Sequence, residues 1–143
     1  MSDLNSLFGV SFKTNVMADI ATARKAFDLF AQGWVTGNFD PYIAVLAEEV
    51  TFWFPMGAHR GEFSGAEGRQ EMIAKCRDHE AAGDRLTFSS PHYALSDESS
   101  VIFEFESEGL YAGKPYKGHN AIAFEVKDGK VIGFREYFGD LGA

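Results

Sequence analysis

The sequence predicts an α+β domain in which a curved, mostly antiparallel sheet is covered on one face by three N-terminal helices. Apolar residues recur at helical spacing in the first part of the chain, whereas apolar and polar residues alternate from about residue 85 onward. Short turn sequences separate the alternating segments. The 143 residues contain no repeat, low-complexity tract or linker, so one domain is expected.

Three segments carry a helical pattern. From Ala18 to Thr36 the apolar residues are three or four positions apart, and Gly37 follows as a stop. A short helix is predicted from Pro41 to Ala47, because proline suits the first turn of a helix. A third helix is predicted from Ala66 to Ala81 and ends at Gly83. The side chains expected on its buried stripe are Arg69 (by its stem), Met72, Ile73, Cys76 and Glu80.

Strands are predicted on both sides of the third helix. The run Val50–Phe54 is rich in β-branched and aromatic residues and ends at Pro55. The loop that follows it, up to Gly65, is predicted to have no regular structure. The later strands are predicted at Arg85–Leu95, Ser100–Tyr111, Tyr116–Lys127 and Lys130–Phe138. Between the last two, Asp128-Gly129 is a strong hairpin signal.

Alternation also assigns side chains to the two faces of the sheet. The rows rich in phenylalanine are expected to face the helices; they are Val101, Phe103, Phe105 and Ser107, then Asn120, Ile122 and Phe124, then Ile132, Phe134, Glu136 and Phe138. Glu136 is therefore an acid on the buried side. The like charges of Glu104, Glu106 and Glu108 are expected on the outer face, where they meet water or basic groups.

The overall charge argues against two classes of partner. A formal charge of −8 and a pI of about 4.9, with scattered basic residues, are unsuited to nucleic acid or to an anionic membrane surface. No apolar run reaches membrane-spanning length, and residues 1–16 lack the pattern of a signal peptide. The single cysteine, Cys76, excludes an internal disulfide, and a reducing cytoplasm is the expected location.

Common catalytic motifs are missing from the sequence. The histidines lack the spacing of a metal site, and we expect neither a metal nor a cofactor; they are His59, His79, His92 and His119. The stretch "GAEGRQ" lacks the fingerprint of a phosphate-binding loop, and no serine lies in a G-x-S-x-G motif.

Four stretches, taken in order, carry a family resemblance from about Ala18 to Asp140: "VTGNFD", "LAEEVTFWFP", "GAEGRQEMI" and "FEVKDGKVIGFREYFGD". The chain resembles the nuclear transport factor 2-like superfamily, in its SnoaL-like and ketosteroid isomerase-like branch. The resemblance implies a cone-shaped domain, here at residues 18–143. Residues 1–17 show neither period and are expected to form an N-terminal arm, either packed or loose. The resemblance also implies an internal pocket between sheet and helices and a homodimer formed through the outer face of the sheet. It does not imply one reaction, because a fold supports many functions.

Carrying over the catalytic residues of this superfamily gives few matches. Where ketosteroid isomerases have a tyrosine, a protonated aspartic acid and an aspartate base, this chain has Phe30, Ile122 and Phe54. Limonene-epoxide-hydrolase-like enzymes use an Asp-Arg-Asp set. Glu136 in "REYF" stands at one of its acids, and Phe105 and Ser107 stand at the other two positions.

SnoaL-type cyclases use a late acidic residue, for which Glu136 or Asp140 is available, but no histidine here is matched to their histidine.

These observations select Glu136 as the candidate acid/base and Asn120 as the candidate for orienting a substrate. Burial would raise the pKa of Glu136 and suit it to proton transfer, whereas a structural pair or a one-residue slip in register would remove that role. Asn120 is equally compatible with a purely structural hydrogen bond. His59 is expected at the pocket mouth, exposed or in contact with substrate. The predicted walls are Trp53, Phe54, Phe103, Phe105, Ile122, Phe124 and Phe134.

Two functions remain open on sequence alone. One is a small cofactor-independent enzyme that acts on an apolar, ring-containing or polyketide-like molecule as an isomerase, cyclase, dehydratase or epoxide hydrolase. The other is a non-catalytic module that binds a hydrophobic ligand or dimerises. The enzyme requires Glu136 and a second polar group to reach a common empty volume, whereas the binding module predicts that Glu136 is paired by backbone or by an arginine.

Overall fold

The computed structural model describes the backbone of residues 2–139 and the side chains of residues 19–139. The side chains of the predicted arm, residues 1–17, lie outside the described residues, as does Asp140. The first helix, α1, spans Ser2–Thr36 and therefore begins before the predicted Ala18. Within the described residues, no helix is both long and apolar enough to span a membrane.

The other helices are α2, Asp40–Ile43, and α3, Gly65–Ala82. The prediction for α3 is confirmed, and Gly83 ends it in the left-handed conformation (φ 75°) that favours glycine. The prediction for α2 is too long, because the chain joins the sheet soon after Ile43. The amide of Val131 donates a hydrogen bond to the carbonyl of Val45 at 2.8 Å, and the first strand begins at Leu46.

The strands are β1 (Leu46–Phe54), β2 (Gly61–Phe63), β3 (Arg85–Phe88), β4 (Tyr93–Ser96), β5 (Ser100–Tyr111), β6 (Lys114–Lys127) and β7 (Lys130–Phe138). Their order in the curved sheet is β2-β1-β7-β6-β5-β3, with β4 also paired to β5. All pairs are antiparallel except β1 with β7. This arrangement confirms the predicted α+β class, with β1 and β2 preceding α3.

β1 begins before the predicted Val50, and β6 begins at Lys114, before the predicted Tyr116. Two further strand predictions need larger corrections. The predicted loop after β1 contains a short strand, β2, whose Phe63 pairs with Phe52. The single strand predicted at Arg85–Leu95 is two strands, β3 and β4, joined by an irregular link that contains Pro91. Proline has no amide hydrogen to donate to a ladder, so it interrupts the pairing along β5.

The hairpin between β6 and β7 is confirmed. Asp128 and Gly129 have φ values of 51° and 75°, as expected when both central residues of a tight hairpin turn adopt positive φ. A register shift in this pair, between Glu125 and Val126, moves the inward position from the predicted Ile132 to Val131, which is fully buried. The extra residue of such a bulge reverses the side that neighbouring side chains face.

The core lies between α1 and the inner face of the sheet. Phe27 of α1 contacts Phe103 and Phe105 of β5, with ring centroids 5.2 and 5.1 Å apart. Phe30, one turn further along α1, contacts Phe134 of β7 at 5.4 Å. The predicted inward rows of β5 and β6 are buried as expected. The rings thus form one continuous aromatic cluster.

Candidate active site at the polar end of the sheet

The inward rows of three neighbouring strands change from aromatic to polar at the same end of the sheet. Ser107 follows Phe105 on β5, Asn120 precedes Ile122 on β6, and Glu136 follows Phe134 on β7. Their exposed fractions are 3%, 3% and 6%. Because buried polar groups cost free energy unless they are paired, a cluster of three marks this end as different from an ordinary core.

A cavity of about 340 Å³ lies against this cluster. Its volume is within the usual range for sites that hold small molecules. Aromatic and aliphatic side chains form most of its wall, and α3 and the strands contribute ionisable groups. The lining residues are Trp34, Phe54, Met56, Gly57, Ala58, His59, Lys75, Asp78, His79, Ala82, Asp84, Leu86, Phe88, Ser107, Tyr111, Tyr116, Asn120, Glu136 and Phe138.

The Glu136 carboxyl group is buried and incompletely hydrogen-bonded. Its Oε2 accepts one long hydrogen bond, 3.5 Å, from Nδ2 of Asn120. Its Oε1 has no partner among the residues that the structure describes. Burial raises the pKa of Glu136 above its usual value of 4.5, although the positive charge of Lys75 and the Asn120 hydrogen bond oppose the shift. Glu136 thus lies at the cavity wall with one carboxyl oxygen that has no partner among the described residues.

Asn120 is held beside Glu136 by Ser107. The Ser107 hydroxyl donates a hydrogen bond of 2.9 Å to Oδ1 of Asn120. With its oxygen occupied in this way, the amide presents its Nδ2 donors to the Glu136 side. The predicted pair, Glu136 and Asn120, is therefore brought together on the cavity wall.

A chain of three polar side chains that the sequence analysis did not select forms another part of the wall. Lys75 and His79 lie one turn apart on the buried side of α3, and Asp84 follows the helix. Nζ of Lys75 is 3.1 Å from Nε2 of His79, and Nδ1 of His79 is 2.8 Å from Oδ2 of Asp84. We assign the neutral tautomer of His79 from these partners: Nδ1–H donates to Asp84, and Nε2 accepts from the lysine.

The environment of His79 keeps its ring uncharged. Burial and the neighbouring Lys75 charge lower its pKa from 6.5 to about 4, against the opposing effect of Asp84. The Trp34 ring packs on the His79 ring with centroids 4.2 Å apart. The other oxygen of Asp84, Oδ1, accepts a hydrogen bond of 2.9 Å from the amide of Ala112. The His79 ring is therefore fixed in position.

Aromatic rings surround the Lys75 ammonium group. Its Nζ lies 4.5 Å from the ring centroid of Phe54, 5.4 Å from that of Trp34 and 5.9 Å from that of Phe30. A cation over ring faces is stabilised by the ring quadrupoles, more so when it is shielded from water. Lys75 is itself only 3% exposed, so the cavity contains a buried positive charge.

His59 lies at the cavity wall, in the 3₁₀ turn Gly57–His59. Its Nε2 is 2.6 Å from Oδ2 of Asp78, and its Nδ1 is 3.6 Å from Oε1 of Glu71. Both acids belong to α3, so these contacts hold the turn against the helix. His59 thus lies near the predicted position, with its ring engaged by acidic partners.

Most of the residues predicted to form the cavity walls do not line the cavity. Phe54 lines the cavity, but Trp53 does not. Because Phe52 and Phe54 point inward, alternation places Trp53 on the outer face, where its ring lies 5.0 Å from that of Tyr137. The other five predicted wall residues fill the aromatic core beside the cavity and do not line it; they are Phe103, Phe105, Ile122, Phe124 and Phe134.

The missed residues had a partial signal in the sequence. Met72, Lys75, Cys76 and His79 recur at three- and four-residue steps, and all four are buried on α3. The predicted stripe instead included Glu80, which lies at the edge of the interface and accepts a 2.7 Å hydrogen bond from the amide of Phe39. Among the described side chains, no group of three His, Cys, Asp or Glu residues is arranged to hold a metal ion.

Two comparisons relate this fold to proteins similar in sequence. A nuclear transport factor 2-like protein from Anabaena variabilis ATCC 29413 is 35% identical, with a TM-score of 0.78 over 86% of this chain and 90% of that one. The uncharacterised protein YesE of Bacillus subtilis (strain 168) is 28% identical over 97 residues. That match covers 66% of this chain and 65% of YesE, just under two thirds of its length.

Enzymes share the fold at lower identity. An LEH-like epoxide hydrolase from M. tuberculosis is 19% identical, with a TM-score of 0.60 over 83% of this chain and 84% of that one. A putative isomerase from Bacillus subtilis is 19% identical, with a TM-score of 0.69 over 85% and 88%. At this identity the likeness concerns the fold alone.

The model of the SnoaL-like domain matches residues 26–134, most of the chain. The protein therefore belongs to the SnoaL-like domain family of the nuclear transport factor 2-like superfamily.

Proposed function

We propose that this protein is a small enzyme that transfers a proton on an apolar, ring-containing carbonyl compound bound in the cavity. Glu136 moves the proton, and Asn120 donates a hydrogen bond to the carbonyl oxygen. The observation that supports this most directly is the Glu136 carboxyl group, which is buried at the cavity wall with Oε1 unpaired among the described residues. No arginine or backbone group of those residues hydrogen-bonds to this carboxyl group.

The pairing of Glu136 favours an enzyme over a binding module. A structural acid in a core is normally fully hydrogen-bonded, because an unsatisfied buried group costs about 1–3 kcal/mol. Glu136 has one hydrogen bond at the 3.5 Å limit and shares the cavity with Asn120, Lys75 and His79. A catalytic acid/base needs this combination of a free oxygen, a raised pKa and a polar neighbour.

Two side chains take part in the proposed proton transfer. The Glu136 carboxylate removes a proton from the carbon next to the carbonyl, and the electron pair moves onto the carbonyl oxygen. Asn120 Nδ2 stabilises the resulting enolate by hydrogen bonding, as amide donors do at other developing oxyanions. The protonated Glu136 then returns the proton to another carbon or to the same one. Isomerisation, cyclisation and dehydration can all begin with this step.

Opening of an epoxide is less well supported by the same wall. In enzymes similar to limonene epoxide hydrolase, an arginine and a second aspartate accompany the late-strand acid. Phe105 and Ser107 stand at those positions here. Phe105 is buried in the aromatic core, and the Ser107 hydroxyl is engaged with Asn120. Neither supplies the charge that those enzymes use.

The proposal is tested by following exchange of α-protons for deuterium in D₂O by proton NMR. The substrates are cyclohexanone, 2-tetralone and ring ketones that bear a carboxylate. The protein is expected to accelerate exchange of at least one of them, and Glu136→Gln should lower that rate by about a hundredfold or more. Glu106→Gln is the matched control, because Glu106 is an exposed glutamate on β5. Equal rates in the Glu136→Gln variant and the unmodified protein would contradict the role of Glu136. Absence of exchange with every ketone, in a protein that binds them, would favour the non-catalytic carrier.

A further inference from the structure

The buried ammonium group of Lys75 lacks a close carboxylate and has too few hydrogen-bond acceptors among the described residues. Within residues 19–139, its ammonium group has one hydrogen-bond partner, Nε2 of His79. An ammonium group carries three hydrogens, so two remain without an acceptor among these residues. His79 is neutral and adds no negative charge, and no carboxylate of the described residues lies within 4.0 Å of Nζ. A buried charge without a counter-charge is costly, so a partner for this cation is expected in the cavity.

Trp34 supplies a second buried donor that lacks an acceptor among the described residues. Its side chain is 4% exposed and lines the cavity, and its Nε1–H has no acceptor among the described residues. The Trp34 ring contacts both His79, at 4.2 Å between centroids, and Lys75, whose Nζ lies 5.4 Å from its centroid. Lys75 and Trp34 therefore lie beside each other at the cavity wall, one with a cationic donor and the other with a neutral donor.

The acidic groups that line the cavity do not neutralise Lys75. Asp84 is occupied by His79 and by the amide of Ala112. Asp78 is paired with His59 at the cavity wall. Glu136 lies against Asn120 and has no ion pair with Lys75. The Lys75 charge acts on Glu136 through space and opposes the rise of its pKa, but no carboxylate of the described residues accepts a hydrogen bond from the ammonium group.

We propose that the cavity binds an organic monoanion, an aromatic or alicyclic carboxylate, whose carboxylate oxygens accept hydrogen bonds from Lys75 Nζ and Trp34 Nε1. The apolar body of the ligand lies against the aromatic wall, which includes Phe54 and Phe88. Two donors, one of them charged, suit the two oxygens of a carboxylate. This inference refines the proposed function: the substrate class becomes ring ketones that bear a carboxylate, with the carboxylate at Lys75 and the carbonyl near Asn120 and Glu136.

The test measures binding and requires no turnover. Isothermal titration of the full chain compares 2-naphthoate with 2-naphthamide, which has nearly the same shape and no charge; benzoate and cyclohexanecarboxylate are further probes. We expect the carboxylate to bind at least about tenfold more tightly than the amide, since hydrogen bonds to a charged group are stronger than those between neutral groups. Equal affinity for acid and amide, or failure of all three carboxylates to bind, would overturn the proposal. This comparison uses the unmodified protein and so does not depend on how any variant folds.

Two variants identify the donors. Lys75→Met removes the charge while keeping an unbranched side chain, and it should lower carboxylate affinity by about tenfold or more without weakening amide binding. Lys117→Met makes the same change at an exposed site on β6 and should leave affinity unchanged. Trp34→Phe removes the N–H while keeping an aromatic ring, and a loss of about threefold or more is expected. If Lys75→Met behaved like Lys117→Met, the carboxylate would not be bound by Lys75.

The two proposals can fail separately. Tight carboxylate binding with no proton exchange would support the anion site and contradict the proposed enzyme. Proton exchange of neutral ketones, unaffected by Lys75→Met, together with equal binding of acid and amide, would support the enzyme and contradict the anion site.

Discussion

The two ends of the sheet's inner face contain side chains from the same three strands but differ in what fills the space above them. At one end, Phe105, Phe124 and Phe134 pack against the rings of α1 and the neighbouring strands. At the other end, Ser107, Asn120 and Glu136 adjoin a cavity of about 340 Å³. The aromatic end removes large apolar surfaces from water, whereas the polar end keeps unpaired groups buried.

This difference indicates a division of roles within one small interior. Filling the polar end with apolar side chains would be expected to stabilise the domain, since replacing buried ionisable groups by packed hydrophobic residues is often neutral or stabilising. The chain instead retains Lys75, Glu136 and the Trp34 N–H at that end. Substitutions at the aromatic end should therefore change stability most, and those at the polar end should change activity and pH dependence.

The largest effect is expected from Phe105→Ala. The Phe105 ring is fully buried and lies 5.1 Å from Phe27 and 4.5 Å from Phe88, between centroids. Its removal should lower the free energy of unfolding by about 3–5 kcal/mol, measured by urea denaturation. Phe138→Ala, a change of the same size beside the cavity, should cost less than half as much because its ring already borders empty space. Equal costs would remove the distinction between the two ends.

The next largest effect concerns His79 and pH. The unfolded chain takes up a proton at this histidine near pH 6.5, but the folded chain does so near pH 4. Between these values the unfolded state binds more protons, so the contribution of His79 to stability is present above pH 6.5 and is lost as pH falls toward 4. The loss should reach about 3 kcal/mol. Glu136 contributes to the pH dependence of stability with the opposite sign, but it does so equally in the unmodified protein and in a His79 variant.

Measurement of unfolding free energy from pH 7 to pH 4 in the unmodified protein and in His79→Gln isolates this term. The variant should lose about 3 kcal/mol less over that interval. Parallel curves would mean that the ring titrates alike in the folded and unfolded states.

A smaller effect of opposite pH dependence is expected at Glu136. Because its pKa is raised by burial, the stability contributed by its neutral form is present below about pH 4.5 and is lost as pH rises through the folded-state pKa. Glu136→Gln should therefore be more stable than the unmodified protein at pH 8, and close to it at pH 4. The exposed Glu106→Gln should stay within about 0.5 kcal/mol at both values. If Glu136→Gln were less stable than the unmodified protein at pH 8, the attraction between Lys75 and the Glu136 carboxylate would outweigh the cost of burying that carboxylate.

The smallest effect is expected from Ser107→Ala. The change removes the 2.9 Å hydrogen bond to Asn120 and leaves Oδ1 of that amide without its donor. Stability should fall by about 1 kcal/mol, and proton exchange should slow because the amide is no longer oriented. Ser64→Ala is a suitable control, since the Ser64 side chain makes no capping hydrogen bond to α3. If stability fell while exchange were unchanged, Asn120 would have a structural role alone.

Much of the fold follows from local patterns in the sequence. Alternation located β5 and β7 to the residue and placed Glu136 and Asn120 on the inner face, because burial on one side of a strand repeats every second residue. The same rule shows why the assignment of Trp53 to the cavity was wrong, since its neighbours Phe52 and Phe54 point inward. The bulge beside Ile132 depends on how β6 and β7 pair, and no period within either strand indicates it.

The polar chain on α3 was harder to predict for a different reason. Lysine and histidine at helical spacing are usually solvated, so composition alone favours the outside for Lys75 and His79. Asp84 lies only five residues after His79, but burial also needs Trp34 on α1, which comes from a separate part of the sequence. Pairings of this kind are tertiary, and a single sequence does not encode them in a local pattern.

The parallel pairing of β1 with β7 has a consequence for how the domain folds. β7 lies between β1 and β6 in the sheet, so β1 and β2 are joined to the long β5–β6 meander through hydrogen bonds to this one strand. β1 and β7 are separated by most of the sequence, and pairings between distant segments form slowly because a long loop must close first. Glu136 lies on β7 itself. Ser107, Asn120 and Glu136 come together through the local β5–β6 and β6–β7 hairpins, whereas Phe54 on β1 borders the cavity only after β1 pairs with β7. We therefore expect the polar cluster to form before the cavity, and a chain that stalls before β1 pairs with β7 to have the acid without its apolar wall.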